Sequence, residues 1–214
     1  MMGIQVLTET NWFVTGELPE THMKYLWDRI DAANEENINV KKTLAGVISR
    51  SLAMKDPENF IIEKVFKNIS QSDDVYPYVM QDIQRRMRVI LHNESQQLTP
   101  YLEALWVNYQ YKHEYNPMHR HDGLYSFVIW MDIPYSFDDE KKTSQAKDSG
   151  STASVGNFSF MHFDGNEIRD AIIEMRPDMN GKLVVFPSYL KHMVYPFYTS
   201  DKPRVSISGN IYMK

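Results

Sequence analysis

Apolar positions change their period near residue 100. Before it they recur at helical spacing: Met23, Trp27 and Ile30 follow Pro19, whose missing N–H is not needed in a first helical turn. Asp56-Pro57 is a second start signal, with Ile61, Val65 and Phe66 as the apolar stripe behind it. A third helix is expected from about Val75 to His92, carrying Val79, Ile83, Met87 and Ile90 on one face. Arg85, Arg86 and Arg88 of that helix read as a solvated face.

From about Leu102 the segments become short, rich in Val, Ile, Tyr, Phe and Trp, and are separated by Gly, Pro, Asn or Asp. Strands are expected over Ala104–Tyr111, Leu124–Ile133, Gly156–His162, Ala171–Met175, Lys182–Phe186, His192–Pro196 and Arg204–Tyr212. That density belongs to an antiparallel sandwich or barrel. No long helical pattern interrupts the strands, which argues against a parallel α/β sheet. Residues 138–157, DDEKKTSQAKDSGSTASVGN, are almost wholly polar, and a loop of that length reads as a lid or as disorder. The division expected is a helix-rich region over 1–100 packed on a β core over 101–214, together one structural domain.

Composition narrows the function. The 214 residues carry 23 Lys+Arg against 28 Asp+Glu, a formal net charge of −5, which offers no basic stripe for nucleic acid. No cysteine is present, so disulfides, thiolate metal sites and a cysteine nucleophile are excluded. No apolar run reaches the roughly 18 residues of a membrane span, and MMGIQVLTET is not a secretory signal. A soluble cytoplasmic protein is expected. P-loop, dinucleotide-binding glycines and nucleophile-elbow serine are all missing.

Two of the seven histidines lie in NPMHRHDGLYSFVIW, at the mouth of the strongest strand pattern. Alternate side chains of an extended segment point the same way, so His119 and His121 can converge on one metal. His192, 71 residues beyond His121 and just after LVVFPS, is the best third ligand. Imidazole suits iron, zinc, copper or nickel. On spacing alone the same histidines also fit a surface pair and a hydrogen-bonded structural residue. His113 and His162 read as structural.

In PRVSISGNIY, Val205, Ile207 and Ile211 share one face, and Arg204, Ser206, Ser208 and Asn210 share the other. That polar face reads either as solvent-exposed or as a receptor. An arginine fork beside a hydroxyl is a good receptor for a carboxylate, which would place a chelating acid next to the metal.

Taken in order, Trp106-Val107-Asn108, His119-Arg120-His121, Phe186-Pro187-Ser188 leading to His192, and Arg204-Val205-Ser206-Ile207-Ser208-Gly209-Asn210 resemble the iron(II)- and 2-oxoglutarate-dependent oxygenases. The match is to a small branch found in bacteria and marine phages. It covers about residues 100–214, and the helical half matches only loosely. The resemblance implies a mainly β fold with N-terminal helices (α+β), built on a double-stranded β-helix (jelly-roll, cupin-like) core.

The resemblance also implies that His119, His121 and His192 hold Fe(II). Arg204, helped by Ser206, receives 2-oxoglutarate; Asn108 and Ser126, at strand positions near the ligands, read from their place in the strands as facing the same cofactor pocket. Most of the wider superfamily has a carboxylate where this chain has a histidine, so Asp122 is the alternative ligand. The reaction implied is hydroxylation of a C–H bond using O2, with release of succinate and CO2. The substrate, a small molecule or a protein or peptide side chain, is open, and so is a homodimer. If the chain is of phage origin, the cytoplasm is the host's. The rivals are a cupin-like three-histidine dioxygenase without cosubstrate and a non-enzymatic jelly-roll binding or structural protein.

Overall fold

The last strand organises the molecule. In the computed structural model, which describes residues 3–87, 98–148 and 154–214, it runs over Arg204–Met213 and pairs antiparallel on both sides. In chain order the strands are β1 Gly3–Val6, β2 Trp12–Glu17, β3 Arg50–Ala53, β4 Pro100–Gln110, β5 Asn116–His119 and β6 Tyr125–Asp132. They continue with β7 Phe158–Phe163, β8 Ile168–Ile173, β9 Lys182–Pro187, β10 Lys191–Val194 and β11 Arg204–Met213. One sheet has the order β1-β2-β9-β6-β11-β4-β3 and the other β5-β10-β7-β8, with every pairing antiparallel.

The seven expected strands are all present, with ends shifted by a few residues. The first hundred residues, expected to be mostly helical, also supply β1, β2 and β3 to the larger sheet. Trp12, Phe13 and Val14 are consecutive and all buried, because β2 is covered on both faces. A strand buried on both sides shows no alternation, and nothing in its pattern marked it as one.

Helix α1, Glu20–Glu36, starts after Pro19 and buries Leu26, Ile30 and Ala33 on one stripe. It ends where Asn37 turns left-handed and returns its N–H to Ala33. Asp56 accepts the N–H groups of Phe60 and Ile61 at 2.9 and 2.8 Å. This caps a wide helical turn, Ile61–Phe66, that runs into α2, Lys67–Ser70. Helix α3 spans Tyr76–Met87, with Val79 and Ile83 buried. The remainder of the helix expected to His92, with Arg88 and Ile90, lies outside the described residues. These helices cover one face of the larger sheet, burying its Leu52, Val107, Ile129, Val185, Ile207 and Ile211.

A second core lies between the sheets, built from Phe13, Trp130, Phe158, Phe160, Val184 and Phe186. The odd positions of β11 therefore face the helices, and its even positions face the gap between the sheets. The polar segment 138–157 is partly helical. Its described part forms two short helices, α4 Phe137–Glu140 and α5 Ser144–Asp148, anchored by an apolar cluster of Phe137, Ala146 and Val155. Buried Glu140 accepts the N–H groups of Tyr198 and Thr199, each at 2.8 Å. Among the described residues no helix is long and apolar enough to cross a membrane.

Candidate metal centre

Register brings the histidines together. On the smaller sheet His192 of β10 is the direct partner of His119 on β5. His121 follows two residues later, its N–H bonded to the Ser188 carbonyl at 2.9 Å, which ties it to the turn before β10. One ligand atom from each of the three rings lies within 4.8 Å of the others. The alternative ligand, Asp122, does not join this group: its side chain is exposed and its charge acts on Tyr212. His113 and His162 are also outside it; His113 is exposed and packs edge-on against Tyr198.

The donor set fits a metal. Nδ1 of His119 donates to the Pro117 carbonyl at 2.7 Å and Nδ1 of His192 to that of Leu190 at 3.1 Å. Each bond fixes the tautomer that leaves Nε2 with a free lone pair. His121 Nε2 and His192 Nε2 stand 3.1 Å apart. Imidazole binds such ions at about 2.0–2.1 Å, so two donors at right angles on one ion would be about 3 Å apart.

Burial lowers all three pKa values. His121 falls to about 3, chiefly by desolvation and then by the charge of His119, and His192 lies well below the usual range for the same reasons. His119 is lowered less, its burial being opposed by the Pro117 bond. The rings are therefore neutral at pH 7, the form a metal requires. Phe158 stacks on His192 at 5.4 Å, Phe186 meets its edge at 4.9 Å, and Trp106 lies 5.8 Å from His121.

The histidines open onto a cavity of about 170 Å³ between the sheets. Its far wall is the polar face of β11, Arg204, Ser206, Ser208 and Asn210, together with Asn108 and Gln110 of β4. The face that in sequence also read as solvent-exposed therefore lines a cavity. Arg204 is 3% exposed. It donates to Tyr135 Oη at 2.7 Å, to the Gly156 carbonyl at 3.1 Å, and to Gln110 Oε1. Among the described residues no carboxylate pairs with it. A buried guanidinium facing a cavity without a counter-charge is costly unless an anion completes it. Tyr135 remains a phenol, its pKa raised to about 12 by burial against the opposing pull of Arg204.

Asn108 accepts from Ser51 Oγ at 2.7 Å, which aims its amide N–H groups elsewhere. Ser126 is buried opposite Asn210 in register, on the same face of the sheet, and its hydroxyl lies 2.8 Å from Asn210 Oδ1. Sequence reasoning missed Gln110 and Tyr135. Gln110 ends a strand already recognised, and the register pair Arg204–Gln110 was its only signal.

A family model described as "Putative 2OG-Fe(II) oxygenase" matches residues 104–210, from β4 to the last turn of the polar ladder on β11. The chain belongs to that family. It is accordingly an oxidoreductase that works with iron(II), 2-oxoglutarate and O2. No curated protein sequence matches it. Among solved structures, a prolyl-4-hydroxylase from Pseudomonas putida is similar at 16% identity and TM-score 0.48, over 92% of this chain and 90% of that one. A Trichoplax adhaerens prolyl hydroxylase, solved with a hypoxia inducible factor peptide fragment, is similar at 9% identity and TM-score 0.49. That likeness covers 96% of this chain and 84% of the other. The viral collagen prolyl hydroxylase of Paramecium Bursaria Chlorella virus-1 gives 11% and 0.46 over 93% and 94%.

Proposed function

We propose that His119, His121 and His192 hold iron(II) and that Arg204, with Ser206, receives the distal carboxylate of 2-oxoglutarate. The two sheets are read as the double-stranded β-helix of such oxygenases, with strands from both halves of the chain making one domain. The observation that carries the proposal is the uncompensated Arg204 guanidinium in the same cavity as three neutral, converging imidazoles. When bound, iron and 2-oxoglutarate would let O2 pass one oxygen atom to a substrate C–H bond, giving C–OH, and the other to 2-oxoglutarate, giving succinate and CO2.

The protein's part is placement. The carbonyls of Pro117 and Leu190 hold two imidazoles with Nε2 inward. Gln110, Tyr135 and the Gly156 carbonyl hold the guanidinium flat against the cavity wall, so that its remaining N–H groups meet a carboxylate without reorganisation. Asn108 offers amide N–H groups to the cosubstrate between these two ends. Phe158, Trp106, Trp130 and Val128 keep the lining apolar beside the histidines, which limits water there. The C–H substrate enters from the side of Arg120 and Asp122, the exposed residues of the cavity lining beside the histidines. A cytoplasmic setting suits a cysteine-free chain that needs ferrous iron.

The test is succinate formation from 2-oxoglutarate by the iron-loaded protein without added substrate, a slow uncoupled turnover. Succinate is expected from wild type and not from His192→Ala. Equal succinate from both would refute the assignment.

A further inference from the structure

Arginine 86 belongs by sequence to a solvated helix face, and the structure gives it another position. Its side chain is only 22% exposed, and the guanidinium reaches from α3 into the two turns that carry the histidines. Nη2 donates to the Gly123 carbonyl at 2.7 Å and to Ser188 Oγ at 3.0 Å, and Nη1 donates to the Leu124 carbonyl. Asp82, one turn earlier and buried, lies 3.5 Å from Nη1 and is bonded also by Arg85. The plane packs on the Tyr189 ring, 4.8 Å from its centroid.

Each of these partners adjoins a proposed ligand. Gly123 and Leu124 follow His121, and Ser188 begins the turn that leads to His192. The two turns also bond one another: His121 N–H to Ser188 O at 2.9 Å, Ser188 N–H to Leu124 O at 3.0 Å, and Ser188 Oγ to Gly123 O at 2.5 Å. Gly123 has φ +88°, and a Cβ there would meet the Tyr212 ring at 2.9 Å, so the loop follows a path open only to glycine. One guanidinium thus gathers three acceptors from two chain segments into a single knot.

We infer that Arg86 is a positioning residue for the metal centre, setting the separation of His121 and His192 from a helix that never touches iron. The inference rests on the ligand assignment proposed above. A planar five-donor fork suits this geometry, and a lysine ammonium cannot reproduce its parallel bonds. Asp82 keeps the guanidinium aimed, and Tyr189 keeps it flat.

The experiment is anaerobic iron(II) titration of the full-length apo protein, alongside thermal melting, for wild type, Arg86→Gln, Arg86→Lys, Ser188→Ala and Ile83→Val. Arg86→Gln should weaken iron binding by about 10- to 100-fold, the scale seen when a residue supporting a ligand is lost. Arg86→Lys should recover only part of it. Ser188→Ala removes a single link and should give a smaller loss in a protein that still folds. Ile83→Val loosens the same helix without touching the knot, so its melting point should drop while iron affinity holds. Wild-type binding with unchanged affinity in Arg86→Gln and Ser188→Ala overturns the inference alone, as does an equal loss in Ile83→Val. Wild type that binds no iron overturns the ligand assignment, and this inference with it.

Discussion

His119 and His192 are direct cross-strand partners on β5 and β10, their ring centroids 4.3 Å apart. Two strands far apart in sequence thus place two of the proposed ligands on one rung of a ladder, and their convergence is a property of register. A one-residue slip of β5 would send His119 to the opposite face.

The ligand set predicts a clean division among single variants. His119→Ala, His121→Ala and His192→Ala should each lower iron(II) affinity by more than about 100-fold, beyond the loss from a supporting residue. Asp122→Asn should bind as wild type. Isothermal titration under nitrogen measures all four, and a large loss in Asp122→Asn would restore the carboxylate to the site.

Buried neutral histidines make the apo protein acid-sensitive. His121 has a folded pKa of about 3, whereas an unfolded histidine protonates near its usual value of about 6.5. Below that value the unfolded state binds the proton and the folded state does not. Stability is therefore full above about pH 6.5 and is lost as pH falls from there toward 3. Melting temperatures of the apo protein from pH 8 to pH 5 should fall more steeply for wild type than for His121→Leu. Parallel curves would contradict the burial of a neutral ring.

Gln110 gives an electrostatic test of the cosubstrate end. Gln110→Glu keeps the shape but sets a carboxylate against Arg204, supplying the counter-charge otherwise left to 2-oxoglutarate. Affinity for 2-oxoglutarate should fall by at least about tenfold, with iron binding unchanged, because the receptor charge is already neutralised. Calorimetry with the iron-loaded protein reads both. Unchanged 2-oxoglutarate affinity would mean that the carboxylate sits elsewhere.

Gly209 tests the packing of the central strand. A Cβ there would come within 2.7 Å of the Ala104 carbonyl and 2.8 Å of the Phe127 ring. Gly209→Ala should cost about 1–3 kcal/mol, the scale of overpacking in a core. Urea denaturation measures it, and a neutral result would show that β4 and β11 part easily.

Most of the β half was legible because its strands are short runs of β-branched and aromatic residues set off by turn residues. In β11 period 2 separates Val205, Ile207 and Ile211 from Arg204, Ser206, Ser208 and Asn210, so it marked both the strand and the polar face that lines the cavity. The order of histidines, Arg204 and Asn108 then exposed the family. The rest was hidden for definite reasons. Strand β2 is buried on both faces, so Trp12, Phe13 and Val14 show no alternation. Strand β3 contributes only four residues. Ser126 has its hydroxyl bonded to the Gly209 carbonyl and Asn210 Oδ1, partners that alternation does not reveal. Arg86 looked solvated because, apart from Asp82 one turn away, its partners are carbonyls and a serine distant in sequence, and helical periodicity is blind to those.

In the proposed complex iron and 2-oxoglutarate meet between the histidines and Arg204. The decisive measurement is anaerobic addition of iron(II) and then 2-oxoglutarate to the apo protein, followed by visible absorption. A weak metal-to-ligand charge-transfer band should appear with wild type and be lost or greatly weakened in Arg204→Ala. Iron binding without a band in wild type would contradict the account and favour a three-histidine dioxygenase that needs no cosubstrate.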